Sequence, residues 1–200
     1  MSAEGRRTIG SLLFEVVLIS LGVFLALLAN NWNENREHHA RARAALQYFL
    51  GEMETNRAAV QSERTYHETL AQQLDTFLHS NEPFSEERLA KEVHFEGMHP
   101  IIFEHTAWDL ALATQALSYI DPDLAFNVSK VYTQQNAFQT LENSFLASAF
   151  TPASMSGDNL KGLATAMRTY LGDVNVQEPL IIKSYDKVIP EIKGALNRQK

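Results

Sequence analysis

The stretch Ile9–Ala29, IGSLLFEVVLISLGVFLALLA, is apolar apart from the side chains of Ser11, Glu15 and Ser20. About 20 such residues in a helix cross a hydrocarbon layer of roughly 30 Å, where only a backbone that satisfies its own hydrogen bonds survives. Trp32 follows, an amphipathic ring suited to the headgroup level as an interface anchor. Asn30, Asn31 and Asn33 around it mark the return to water. A signal peptide would also place Arg6 and Arg7 before an apolar core. Cleavage after Ala29, however, would put Leu27 where a small residue is normal. The reading is an uncleaved transmembrane helix over residues 9–29, between a short N-terminus (1–8) and an extramembrane part (30–200).

Arg6 and Arg7 favour a cytoplasmic N-terminus, and long domains translocate largely regardless of the charge that Arg36, Arg41 and Arg43 add beyond the span. The expected placement is the bacterial inner membrane, single-pass, with the C-terminal domain periplasmic. A net charge of −7 argues against a nucleic-acid partner held through phosphates. The absence of cysteine removes disulfides and thiol chemistry and suits either side of that membrane. With at most eight residues ahead of Ile9, no cytoplasmic output domain is expected.

On a helix turning 100° per residue, Glu15, Gly22, Ala26, Ala29 and Asn33 fall along one stripe. Small residues let helices approach closely in lipid, and a carboxyl there needs a partner. Glu15, Gly22, Ala26 and Ala29 are therefore the expected transmembrane helix contact. The bland alternative is that Glu15 snorkels to the headgroups and the small residues are ordinary composition.

Beyond the span the pattern stays helical, and the expected fold class is all-α: one N-terminal transmembrane helix followed by an extramembrane helical bundle. Leu46, Phe49, Met53, Val60, Leu70, Leu74 and Phe77 recur at one-face spacing, slipping between Val60 and Leu70, where Ala59 and Tyr66 must carry it. This predicts one helix continuing from the anchor, or two with a kink near Gly51. A short helix is expected over residues 85–93, and one capped by Thr106 running to about Leu117. Asp121-Pro122-Asp123 starts another, to about Phe145, burying Leu124, Val128, Val131, Phe138 and Leu141. Thr151-Pro152 breaks it. A helix over residues 158–171 and a last one from Glu178 towards Leu196, kinked or divided at Pro190, complete the expectation.

Glu15 with the apolar run through Gly22 and Ala26 to Asn30-Asn31-Trp32-Asn33-Glu34 resembles the opening of a widespread bacterial family of short, single-pass membrane proteins of unknown function. Leu50-Gly51-Glu52-Met53-Glu54-Thr55-Asn56-Arg57 is similar to that family's first soluble helix, and a looser likeness runs through Thr106-Ala107-Trp108, Leu117, Ile120 and Val131-Tyr132. The resemblance implies the anchored helical architecture. It implies no activity.

Candidate chemistry is sparse. His94, Glu96, His99 and His105, with Glu104, crowd one predicted loop, and histidine with carboxylate suits zinc, yet the spacing matches no metal motif. No metal and no cofactor are expected. His67-Glu68 opens like a zinc-protease helix, but Ala71 stands where the second histidine is required. Glu63 and His67, four apart, read as a surface pair, and His38-His39 as a solvated face. Ser154-Met155-Ser156-Gly157 lacks the first glycine of a nucleophile elbow. Glu86-Glu87 and Asp121/Asp123 have simpler roles in solvent exposure and helix capping. Trp108, Tyr132 and Phe138 suit a core better than a ligand pocket. The expected function is a non-enzymatic, membrane-anchored interaction or scaffold protein, whose partners are the lipid bilayer and either its own copies, as a homo-oligomer, or another membrane protein. The alternatives are a periplasmic ligand-sensing bundle acting through a membrane partner and a metal-dependent hydrolase, which would need the His94–His105 segment to converge with distant carboxylates.

Overall fold

The computed structural model describes residues 3–149, 151–152 and 159–198, with side chains from Gly10 onward. Among the described residues all regular structure is helical: α1 (Ala3–His79), α2 (Glu86–Glu92), α3 (Thr106–Ala113), a 3-10 turn (Ala116–Tyr119), α4 (Pro122–Ala149) and α5 (Leu160–Arg198). Asp158 and the Ser154–Gly157 stretch lie outside the described residues.

α1 runs unbroken for 77 residues, about 115 Å at the α-helical rise. It is not divided at Gly51. Most of its buried side chains, Ala42, Leu46, Phe49, Met53, Asn56, Val60, His67, Leu70, Leu74 and Phe77, step by three, four or seven and so hold one face, with Ala45 and Glu52 buried beside it. The slip in the apolar pattern between Val60 and Leu70 is filled on that face by His67, with Ala59 and Tyr66 packed at its flank.

α5 corrects the expected division into two helices. It is one helix of 39 residues with Pro179 and Pro190 inside it. Each proline removes an intrahelical hydrogen bond; Pro190 is exposed and Pro179 half-buried. The face Ala164, Leu171, Val174, Glu178, Ile181, Tyr185, Val188 and Ile192 continues in register through both. Burial of that whole face offsets a local cost of roughly 3 kcal/mol per proline.

Cross-links set the topology. Glu54–Lys193 (2.7 Å), Arg57–Asp186 (2.7 Å) and Asp75–Arg168 (2.9 Å) run in opposite sequence order, making α1 and α5 antiparallel. Asn127–Glu191 and Gln135–Tyr185 do the same for α4 and α5. Between α1 and α4 the chain returns through α2, an extended strap (residues 93–105), α3 and the 3-10 turn. The result is an up-down-up-down bundle whose second element is mostly not helical.

Local signals fix the ends. Ser85 accepts from Arg88 N (3.2 Å) to cap α2. Arg88 is buried, chelating Glu92 (2.8 and 3.1 Å), donating to the Phe77 carbonyl (2.9 Å) and lying 4.6 Å over the Phe77 ring. It places a cation at the C-terminal end of α1, where the helix dipole favours one. Asp121 caps α4 by accepting from Leu124 N (3.1 Å). The helix buries Leu124, Val128, Val131 and Phe138, half-buries Leu141, and reaches Ala149 rather than Phe145. Thr106 does not cap α3. It is already helical, His105 at the cap position makes no side-chain bond there, and the Glu52 carboxylate from α1 takes the Ala107 N–H instead (2.7 Å). α3 stops at Ala113, short of Leu117, because Gln115 turns left-handed (φ 55°) into the 3-10 turn.

Candidate functional site

An extended strap with no neighbouring strand leaves its backbone donors and acceptors without partners unless side chains supply them. α1 supplies them. Asn56, Glu63, Tyr66 and Gln73 share a stripe beside the apolar face, and they meet the strap in reverse order. Asn56 binds both the N–H (2.8 Å) and the carbonyl (2.9 Å) of Glu104. Glu63 meets His99 Nδ1 at 2.8 Å. The Tyr66 hydroxyl donates to the Gly97 carbonyl (2.6 Å) and accepts from Glu96 N (3.1 Å), while Gln73 accepts from His94 N (2.9 Å). α4 contributes Glu142, which accepts from Ile101 N at 2.9 Å. Gly97 (φ 129°) and His99 (φ 45°) make the left-handed turns that let the strap follow α1.

Under the strap lies a buried polar cluster. His67 Nδ1 and Glu178 Oε1 are 2.6 Å apart and both side chains are 0 % exposed. Glu142 is beside them, with the Tyr170 hydroxyl donating to it at 3.4 Å. Removal from water pushes the Glu142 carboxyl up to about 7, against the Ile101 N–H and the charge of His67, which favour ionisation. For His67 burial opposes the charged ring, but the hydrogen bond and charge of Glu178, with the Met98 and His99 carbonyls, turn the balance upward. Further down, the Tyr132 hydroxyl donates to Glu52 (2.6 Å), and burial followed by that carboxylate raises the phenol above its usual range. Burial likewise raises Tyr170 and Tyr185. His67 Nε2, Glu142 Oε2 and Glu178 Oε2 are buried without hydrogen-bond partners. The cluster can hold a proton inside the bundle and tie α1, α4, α5 and the strap into one arrangement. In this conformation it is closed to solutes.

His67 corrects the expectation of a surface pair with Glu63: it belongs to the core and to Glu178, and Glu63 belongs to His99. The signal was available in its position on the three-four pattern of α1, between Val60 and Leu70. His38 is half-buried and stacked on Tyr119 (ring centroids 3.9 Å, 10° between planes), so it is not a freely solvated side chain, whereas His39 is exposed. The four weak metal candidates are not brought together. His94 faces Gln73, His99 faces Glu63 and stacks on Tyr66, His105 meets Asn136 (2.8 Å) and the edge of Tyr132, and Glu96 is exposed. The convergence that a metal-dependent hydrolase needs is not made by these residues. Tyr132 and Phe138 are core, and Trp108 packs against the core and stacks on Tyr132 (5.1 Å).

Among the described residues, nothing buries the large apolar side chains of the first part of α1. Its large side chains from Leu12 to Leu28 are exposed, from 49 % (Leu28) to 67 % (Phe14), and a Cβ added at Gly22 would meet nothing within 4 Å. Glu15, Ala26 and Ala29 are exposed with it. Trp32 is 66 % exposed, with the Arg36 guanidinium 5.5 Å from its ring. From there, Asn30–Glu34 (2.7 Å) and Asn33–Glu37 (3.0 Å) pairs give the helix a polar surface. Among the described residues α1 is the one helix long and apolar enough to cross a membrane. No family model, curated protein or solved structure matches the chain.

Proposed function

We propose that this protein is a membrane-anchored, non-enzymatic interaction or scaffold module. In this reading α1 crosses the bacterial inner membrane over residues 9–29, N-terminus in the cytoplasm, and carries the bundle in the periplasm. The observation that carries it is the exposed apolar cylinder Leu12–Leu28. It is too long and continuous for a chance patch on a water-soluble surface, and it ends at Trp32. The resemblance of the Glu15-to-Trp32 opening to a family of single-pass membrane proteins supports the same placement. Glu15, Gly22, Ala26 and Ala29 would face another transmembrane helix, of a second copy or of another membrane protein. The open space above Gly22 leaves room for it. A second reading, a ligand-sensing bundle acting through a membrane partner, is favoured by one observation: a half-open apolar cavity at the end of the bundle farthest from Trp32.

Alkaline carbonate washing should leave the protein in the membrane pellet. Protease added to intact spheroplasts should degrade the chain from Arg36 onward. Extraction by carbonate would sink the anchor, and digestion only after lysis would reverse the orientation.

A further inference from the structure

α2, the first residues of the strap and the first turns of α5 do not close against one another. They leave a groove of about 560 Å³ over Leu74 of α1, a size typical of small-molecule sites. Its floor is Leu74, Val93, Leu163 and Met167, and its polar lining is Glu86, Glu96 and His94. Both carboxylates are exposed, and among the described residues no lysine or arginine lines the groove. Of the cations nearby, Arg88 is held by Glu92, Arg168 by Asp75, and the Lys161 ammonium sits 4.9 Å over the Phe84 ring, while Lys91 is exposed on α2. An apolar floor with an acidic rim complements a molecule with a hydrocarbon body and one positive end. An anionic amphiphile of the same shape would meet repulsion at that rim.

We propose that this groove binds a small apolar amine, its hydrocarbon body against Leu74, Val93, Leu163 and Met167 and its ammonium group at the Glu86/Glu96 rim. The ligand touches the strap where it leaves α2, next to the His94 N–H that Gln73 holds. Occupancy therefore bears directly on the element whose backbone the bundle side chains secure. The inference supplies a ligand class for the sensing reading, and it is independent of which side of a membrane the bundle occupies.

The test uses the full chain in lipid nanodiscs, titrated calorimetrically with 2-phenylethylamine and, separately, with its anionic counterpart 3-phenylpropanoate, with empty nanodiscs as the blank. Saturable binding of the amine, at least ten-fold tighter than the acid, is expected. Glu86→Gln with Glu96→Gln, both at exposed positions, should bring the two ligands to within two-fold of each other. Met167→Trp should abolish binding by filling the floor. Equal binding of amine and acid, no saturable binding of either, or amine binding unchanged in the double glutamine variant would overturn the proposal. Carbonate extraction reads the anchor separately, so failure here leaves that reading to its own test.

Discussion

The two halves of α1 share a backbone and differ in what surrounds it. From Leu12 to Leu28 the large apolar side chains point in all directions and stay exposed, with Glu15 as the only ionisable side chain among them. From Ala42 to Phe77 the buried apolar side chains keep to one face, while the adjoining stripe of the helix is polar and holds the strap. The first half is apolar all round and can be satisfied only by an apolar solvent or another helix. The second half is amphipathic and is satisfied by its own chain. One continuous helix therefore joins a region covered by its own chain to one that is exposed. It also gives any force on the apolar half a rigid route of about 1.5 Å per residue into the bundle.

The contrast can be broken most sharply in the apolar half. Leu18→Arg with Leu21→Arg should cost roughly 5–7 kcal/mol of insertion, at about 2.5–3.5 kcal/mol per central arginine. The double variant should appear in the carbonate-soluble fraction while the bundle's melting temperature stays as in the parent. Retention in the pellet would mean that burial of this segment in lipid is not what holds the protein there.

In the buried half the largest effect should follow from His67→Ala. It leaves the buried Glu178 carboxyl without its partner, at a cost of roughly 3–5 kcal/mol. Replacing both by leucine should restore most of that loss, since an apolar pair of similar volume avoids the desolvation of both charges. Urea unfolding of the three proteins decides it. A double variant as unstable as the single one would show that the pair is worth more than its replacement.

Glu142 gives a smaller, pH-dependent effect. Its folded value of about 7 lies above the ordinary 4.5, so between those values the unfolded state ionises first. Stability is full below about 4.5 and is lost as pH rises through 7, by roughly 3 kcal/mol in all. His67, also raised, adds a loss of the same sign. Glu142→Gln keeps an acceptor for Ile101 N and removes the Glu142 part. It should match the parent at pH 4.5 and exceed it at pH 8. Parallel melting curves across that range would show that Glu142 ionises as an ordinary surface carboxylate does.

The smallest expected change returns to the apolar half. Gly22→Ile should weaken self-association or co-purification by about 1–2 kcal/mol, because a β-branched side chain holds facing helices apart. Val23→Ile, on a different face, should not. Equal crosslinking of the two variants would leave the Glu15 stripe as ordinary lipid-facing composition.

Wherever apolar spacing or cap chemistry was strong, the helices were legible in advance. Asp121-Pro122-Asp123 placed the start of α4, Ser85 that of α2, and the Leu46-to-Phe77 pattern the face of α1. The errors have local causes. Thr106 looks like a cap, but a cap is whichever acceptor reaches the orphan N–H, and Glu52 reaches it from another helix. Pro190 looks like a break, but local cost yields to a buried face that continues past it. His67 looked like the partner of its neighbour Glu63, because spacing along one helix reports nearness on that helix only.

The sequence by itself determined the all-helical character, the apolar segment at residues 9–29 and most helix starts, because these rest on interactions within a few residues. Only the tertiary structure decided that Asn56, His67, Glu142 and Glu178 are core residues, that a non-helical strap takes the place of a fourth helix, and that two carboxylates rim an apolar groove. Those outcomes depend on which polar groups face each other across more than 30 residues of chain. Desolvation makes each such meeting either stabilising or costly, and no periodicity within a single element encodes it.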